Sequence, residues 1–145
     1  MAEALFRELV RGSGDYEVVS AGVAAMRGQS ASKHTVDVLA AEGIDLSGFK
    51  SQPVTKKLVD EVTHIFAMGL HHLAAIEADH PEASDKVFLI TEFTPEDELR
   101  GRDIVDPFGM GRPAYEELRQ MLAQVLPSVK AYIDTTWNSG EAAES

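Results

Sequence analysis

Apolar residues recur along this chain at two spacings. Ala2, Leu5, Phe6, Leu9 and Val10 step by three and four, the period of one helix face, and the run stops at Gly12 and Gly14. The segment YEVVSAG, residues 16–22, is β-branched and ends on glycine, which predicts a short strand. Beyond a loop rich in Gly, Ser and Ala, Ser30 or Ser32 can cap a second helix that turns Val36, Leu39 and Ala40 inward and ends by Gly43. GIDLSGFKSQPVT follows as loop and KKLVDEV as a short helix.

The apolar runs THIFAM (63–68) and KVFLI (86–90) predict two buried strands, separated by the helix LHHLAAIEADHP that Pro81 ends. A polar, acidic stretch occupies 91–102. Tyr115, Leu118, Leu122, Val125, Val129 and Tyr132 then mark a long last helix, which Pro127 is expected to kink or divide. NSGEAAES closes the chain as a polar tail expected to be disordered. Helices alternating with short apolar strands predict an α/β domain with a largely parallel sheet. Only three strands are legible, and the chain opens on a helix where such folds open on a strand.

Composition narrows the function classes. The 145 residues carry 24 acidic against 13 basic side chains, a formal charge of −11, so attraction to a phosphate backbone is weak and nucleic acid is a poor partner. No apolar run approaches the ~20 residues of a membrane span and no charged-then-apolar leader is present, so no membrane association and a cytoplasmic location are expected. There is no cysteine. Disulfides, thiolate metal sites and cysteine nucleophiles are excluded within these residues.

The sharpest local feature is DIVDPFGMG, residues 103–111. Asp106, held on a turn by Pro107, can present a proton to a leaving group, with Phe108 walling a cleft; a plain turn before a helix is the bland alternative. Asp103 is the weaker candidate, having no proline beside it. Histidines at 34, 64, 71, 72 and 80 lack the separation of four seen in helical zinc sites, so no metal or other cofactor is expected. Lys56 with Lys57, and Arg100 with Arg102, are expected on solvated faces. No glycine-rich phosphate loop or nucleophile elbow is present.

Taken in order, MAEALF, SAGV, GQSASKHTVDVLAAEGIDL, SQPVT, THIFAM and DIVDPFG resemble the low-molecular-weight protein tyrosine phosphatase family over roughly residues 1–134. SQPVTKKLVDEVTHIFAM and DPFG are most similar to the bacterial branch, which includes protein arginine phosphatases. The resemblance implies a three-layer α/β sandwich, a short parallel sheet flanked by helices, with 135–145 as the tail. It also implies that the family's first, interior strand and its phosphate-binding loop, with the cysteine nucleophile and an arginine, would stand before Met1. Three explanations follow, a reading frame opened at an internal methionine, a chain produced without its start, or a true cysteine-free relative that has become a binding module; the first is the expectation.

By the same resemblance Asp106 is the general acid, Phe108 the aromatic wall and Ser20 a hydrogen-bonding brace of the nucleophile loop. Phe49 stands where many members have a supporting histidine, and the missing downstream cysteines argue against the arsenate reductases that share the fold. The implied substrate is a protein phosphorylated on tyrosine or arginine, cleaved through a phosphocysteine. The chain itself is expected to be inactive; the alternative is a non-catalytic module that binds a phosphorylated partner or exchanges strands into an oligomer.

Overall fold

A computed structural model describes residues 1–12, 16–22, 32–46, 49–105, 107 and 109–136. Among the described residues, five helices and two strands follow the order α1 (Ala2–Leu9), α2 (Lys33–Ala40), α3 (Lys56–Glu61), β1 (Ile65–Ala67), α4 (Leu70–Asp79), β2 (Val87–Leu89) and α5 (Arg112–Thr136). A single 3-10 turn, Pro81–Ala83, lies between α4 and β2.

β1 and β2 pair in parallel, with Ile65 opposite Val87, Phe66 opposite Phe88 and Ala67 opposite Leu89. Alternation then sorts their side chains to two faces. Ile65 and Val87 join Val59 of α3 and Ile76 of α4 in one cluster. On the other face Phe66 packs against a larger cluster built from Phe6 and Val10, Ile90, Ile104 and the α5 residues Leu122, Val125, Leu126 and Val129. The sheet thus has α3 and α4 on one side, α1 and α5 on the other, and α2 rests on α5. This is the expected three-layer α/β arrangement.

Several elements depart from their sequence pattern. Residues 16–22 form no strand: only Gly22 makes a bridge, to Pro53, with its N–H donating to Gln52 O at 3.0 Å and its carbonyl accepting from Val54 N at 3.2 Å. β-branched side chains favour extended backbone, but a ladder needs a partner along its whole length. The strands predicted at 63–68 and 86–90 shrink to three residues each.

α2 buries Val38 and Leu39, whereas Ala40 is exposed, because its contact with α5 is rotated from the face that Val36 and Ala40 define. Of the two serines proposed as its cap, Ser32 accepts from Thr35 N at 3.3 Å. Ser30 lies outside the described residues. In α1 the buried residues are Ala4 and Phe6, with Val10 just beyond, while Leu9 is 40% exposed.

Pro127 does not divide α5, which runs as one helix of 25 residues. Both Pro127 and Ala123, whose carbonyl loses its helical donor there, lie on the solvent side, so water can satisfy that oxygen. α5 also ends at Thr136, two residues inside the segment expected as tail; 137–145 lie outside the described residues.

Candidate functional site

Ligands of open α/β sheets bind beyond the carboxyl ends of the strands. Here the carboxyl ends of β1 and β2 are joined by one segment, residues 101–104. Gly101 N donates to Thr91 O at 3.3 Å, and the Thr91 hydroxyl, fully buried, donates to Arg102 O at 2.6 Å. Asp103 Oδ1 accepts from Leu70 N at 2.9 Å, so a carboxylate caps α4 where Gly69, its own N-cap residue, has no side chain to do so. Ile104 N donates to Met68 O at 2.8 Å, and the Ile104 side chain enters the larger core cluster.

Beyond Ile104 the loop rises to the surface and returns. Val105 is 75% exposed, Pro107 is buried, and the Pro107 carbonyl accepts from Met110 N at 2.8 Å. Gly109 supplies the turn with φ +84°, which a side chain would oppose. A groove of about 210 Å³ runs between this loop and α5, lined by Asp103, Val105, Pro107, Met110, Leu118 and Met121 among others. Asp106 and Phe108, the expected acid and wall, lie outside the described residues, although their neighbours on both sides are placed.

Ser20, the expected brace, is fixed beside α1. Its hydroxyl donates to Glu3 Oε1 at 2.6 Å, and its carbonyl accepts from Gln52 Nε2 at 2.9 Å. Glu3 in turn pairs with Arg7 at 3.0 Å along α1, and Arg7 donates to Val18 O. The serine thus ties residues 16–22 to the first turn of α1, whose N-cap residue Met1 makes no side-chain capping bond. Phe49 is half-buried.

Among the described residues no group of three or more His, Asp or Glu side chains could hold a metal ion. The His71 and His72 rings lie against each other at a tilt of 40°, with centroids 3.8 Å apart, at the start of α4. His64 sits instead in an aromatic cluster, parallel to Phe66 and edge-on to Tyr132. Burial there lowers its pKa, favouring the neutral ring. Sequence reasoning missed the anchoring parts of Asp103, Glu3, Gln52 and Thr91. Asp103 alone left a trace, as a carboxylate near the acid candidate.

A short parallel sheet thus lies between two helical layers, with residues 101–104 pinned across its carboxyl end. The family described as low molecular weight phosphotyrosine protein phosphatase matches residues 1–137, and the chain belongs to it. The protein-arginine-phosphatase of Geobacillus stearothermophilus is 34% identical over 119 residues, 82% of this chain and 78% of the relative. A solved YwlE arginine phosphatase, a cysteine-to-serine mutant with a phosphorylated active-site serine, superposes with a TM-score of 0.85 at 29% identity, covering 95% of this chain and 89% of that one. The low molecular weight protein tyrosine phosphatase of T. tengcongensis gives 0.82 at 30% identity, covering 90% and 88%.

Membership implies phosphorylated proteins as the family's substrates. No helix among the described residues is long and apolar enough to cross a membrane.

Proposed function

We propose that these residues carry the general acid and substrate wall of a cysteine-dependent protein phosphatase, acting in the cytoplasm on phosphotyrosine or phosphoarginine, and that alone they are inactive. The carrying observation is the pairing of a family match over residues 1–137 with a sequence that has no cysteine. The phosphorylated serine in the YwlE mutant supports a phosphoryl group carried on the nucleophile's side chain.

In the complete reaction a thiolate attacks phosphorus and the bond to the leaving oxygen or nitrogen breaks. Asp106 gives its proton to that leaving atom. The Asp106 carboxylate then takes a proton from water, whose oxygen attacks phosphorus; the S–P bond breaks and phosphate leaves. Phe108 walls the cleft for the aryl or guanidino group. Ser20, through its hydrogen bond to Glu3, holds residues 16–22 against α1 and so supports the nucleophile loop at one remove.

The pure chain is expected to release no phenolate from a chromogenic aryl phosphate, and sustained turnover would overturn the inactivity. Fusing the strand and cysteine loop of a YwlE arginine phosphatase ahead of Met1 is expected to produce turnover. Asp106→Asn in that fusion should then cost on the order of 10²–10⁴-fold in rate. A folded fusion indifferent to Asp106→Asn would remove the acid assignment.

The absence of cysteine also favours a second reading, a non-catalytic module that binds a phosphorylated partner or exchanges strands into an oligomer. Tight binding of a phosphotyrosine or phosphoarginine peptide by the unmodified chain would support it, as would a concentration-dependent dimer in sedimentation.

A further inference from the structure

We infer that Asp103 is a positioning residue: its carboxylate clamps the loop that carries Asp106 onto the start of α4. The inference rests on the reading of Asp106 as the general acid. Its physical basis is the cap on Leu70 N at 2.9 Å and the space left for it. A Cβ on Gly69 would lie 3.2 Å from Asp103 Cγ and 3.2 Å from the His71 ring, so the glycine opens the slot that the carboxylate fills. A carboxylate at this point also meets the positive end of the α4 dipole.

The clamp acts close to the acid. Asp103 is tied to Leu70, and the next residue is tied to Met68 by a backbone hydrogen bond of 2.8 Å and by burial of Ile104. The chain is held again at Pro107, which is buried and accepts from Met110 N at 2.8 Å. Only Val105 and Asp106 bridge the two anchors, across three residue steps that reach at most ~11 Å when extended. A span so short leaves Asp106 within two residues of the first anchor, so the freedom of that anchor bounds the freedom of the acid. Releasing Asp103 removes the tie of this anchor to α4 and leaves its ties to Met68 and Thr91.

The same contact explains how a carboxylate three residues before the acid is used without touching substrate. Its oxygen is occupied by a helix N–H, which is an orphan donor unless a side chain meets it. Asparagine retains an acceptor oxygen at that place, whereas alanine does not.

Amide hydrogen exchange on the full chain tests this. In Asp103→Ala the amides of Leu70, Val105, Asp106, Phe108 and Gly109 are expected to exchange at least about tenfold faster, while Leu122 and Val125 in α5 change less than about twofold. Asp103→Asn should restore the loop to within about twofold of the parent. A purely structural role would accelerate α5 along with the loop and would overturn the inference, as would an unchanged loop in Asp103→Ala.

Gly69→Ala supplies an independent variant, because its methyl displaces the carboxylate without removing it; the same loop acceleration is expected, and its absence counts against the clamp. Exchange does not depend on turnover. Failure here would therefore count against the clamp alone, while the acid role of Asp106 stands or falls with the fused enzyme.

Discussion

Ser20 and His64 show how much a single side chain decides here. The Ser20 hydroxyl donates to Glu3 Oε1 at 2.6 Å from a half-buried position, the only side-chain hydrogen bond among the described residues that links 16–22 to the α1 helix through Ser20 itself. Ser20→Ala removes it while leaving Glu3 paired with Arg7, so a loss of about 1 kcal/mol is expected in urea unfolding. His64 hydrogen-bonds Thr63 and Thr136, each at 2.9 Å, and burial lowers its pKa.

With the folded pKa below the unfolded value of about 6.5, the unfolded chain binds the proton first as pH falls. The stability that His64 contributes is therefore complete above pH ~6.5 and is lost as pH drops toward the folded pKa. Urea midpoints between pH 7.5 and 5 should fall less steeply in His64→Asn than in the parent; equal slopes would show that His64 titrates alike in both states.

At the scale of elements, α5 is the clearest case of a pattern read correctly with one exception. The spacing of Tyr115, Leu122, Val125 and Val129 makes an amphipathic helix, and all four are buried. Pro127 interrupts the hydrogen bonds but not the helix, because the core contacts on the opposite face hold the backbone helical through it. Pro127→Ala should restore a helical bond to Ala123 O and raise stability by about 1–3 kcal/mol, partly offset by the greater freedom of the unfolded chain. A lower melting temperature in this variant would mean that a bend at Pro127 is needed for packing.

Residues 16–22 went the other way: Val18 and Val19 carry strand propensity, yet Val19 is 43% exposed and only Gly22 is bridged. Propensity supplies extended backbone; pairing comes from neighbours. The Asp-Pro loop was legible as a loop, but its anchoring was not, since the cap from Asp103 joins residues 33 apart in sequence.

For the molecule as a whole, charge and layering matter more than any one ion pair. The formal charge is −11, and most ion pairs among the described residues are exposed and three or four residues apart, such as Lys56 with Asp60 and Lys130 with Asp134. Such pairs are screened by water and contribute little, whereas the excess negative charge repels itself throughout the fold. Raising NaCl from 20 to about 300 mM, which shortens the screening length, should therefore raise the melting temperature by a few degrees. A fall would show that the local pairs outweigh the net charge.

By itself the sequence determined the α/β class, the helical face of α5, the existence of two apolar strands and, through the order of its motifs, the family. These depend on local periodicity and on residue types at short spacing, which are written directly in the chain. It also raised Asp106, Phe108 and Ser20 as candidates, of which the structure describes Ser20. Tertiary structure decided what no spacing could: that 16–22 has one bridge in place of a ladder, that α2 turns Val38 inward, that Pro127 is tolerated on a solvent face, and that Asp103 caps α4. Each of those outcomes is fixed by a contact between distant segments, whose energy exists only once the layers have packed.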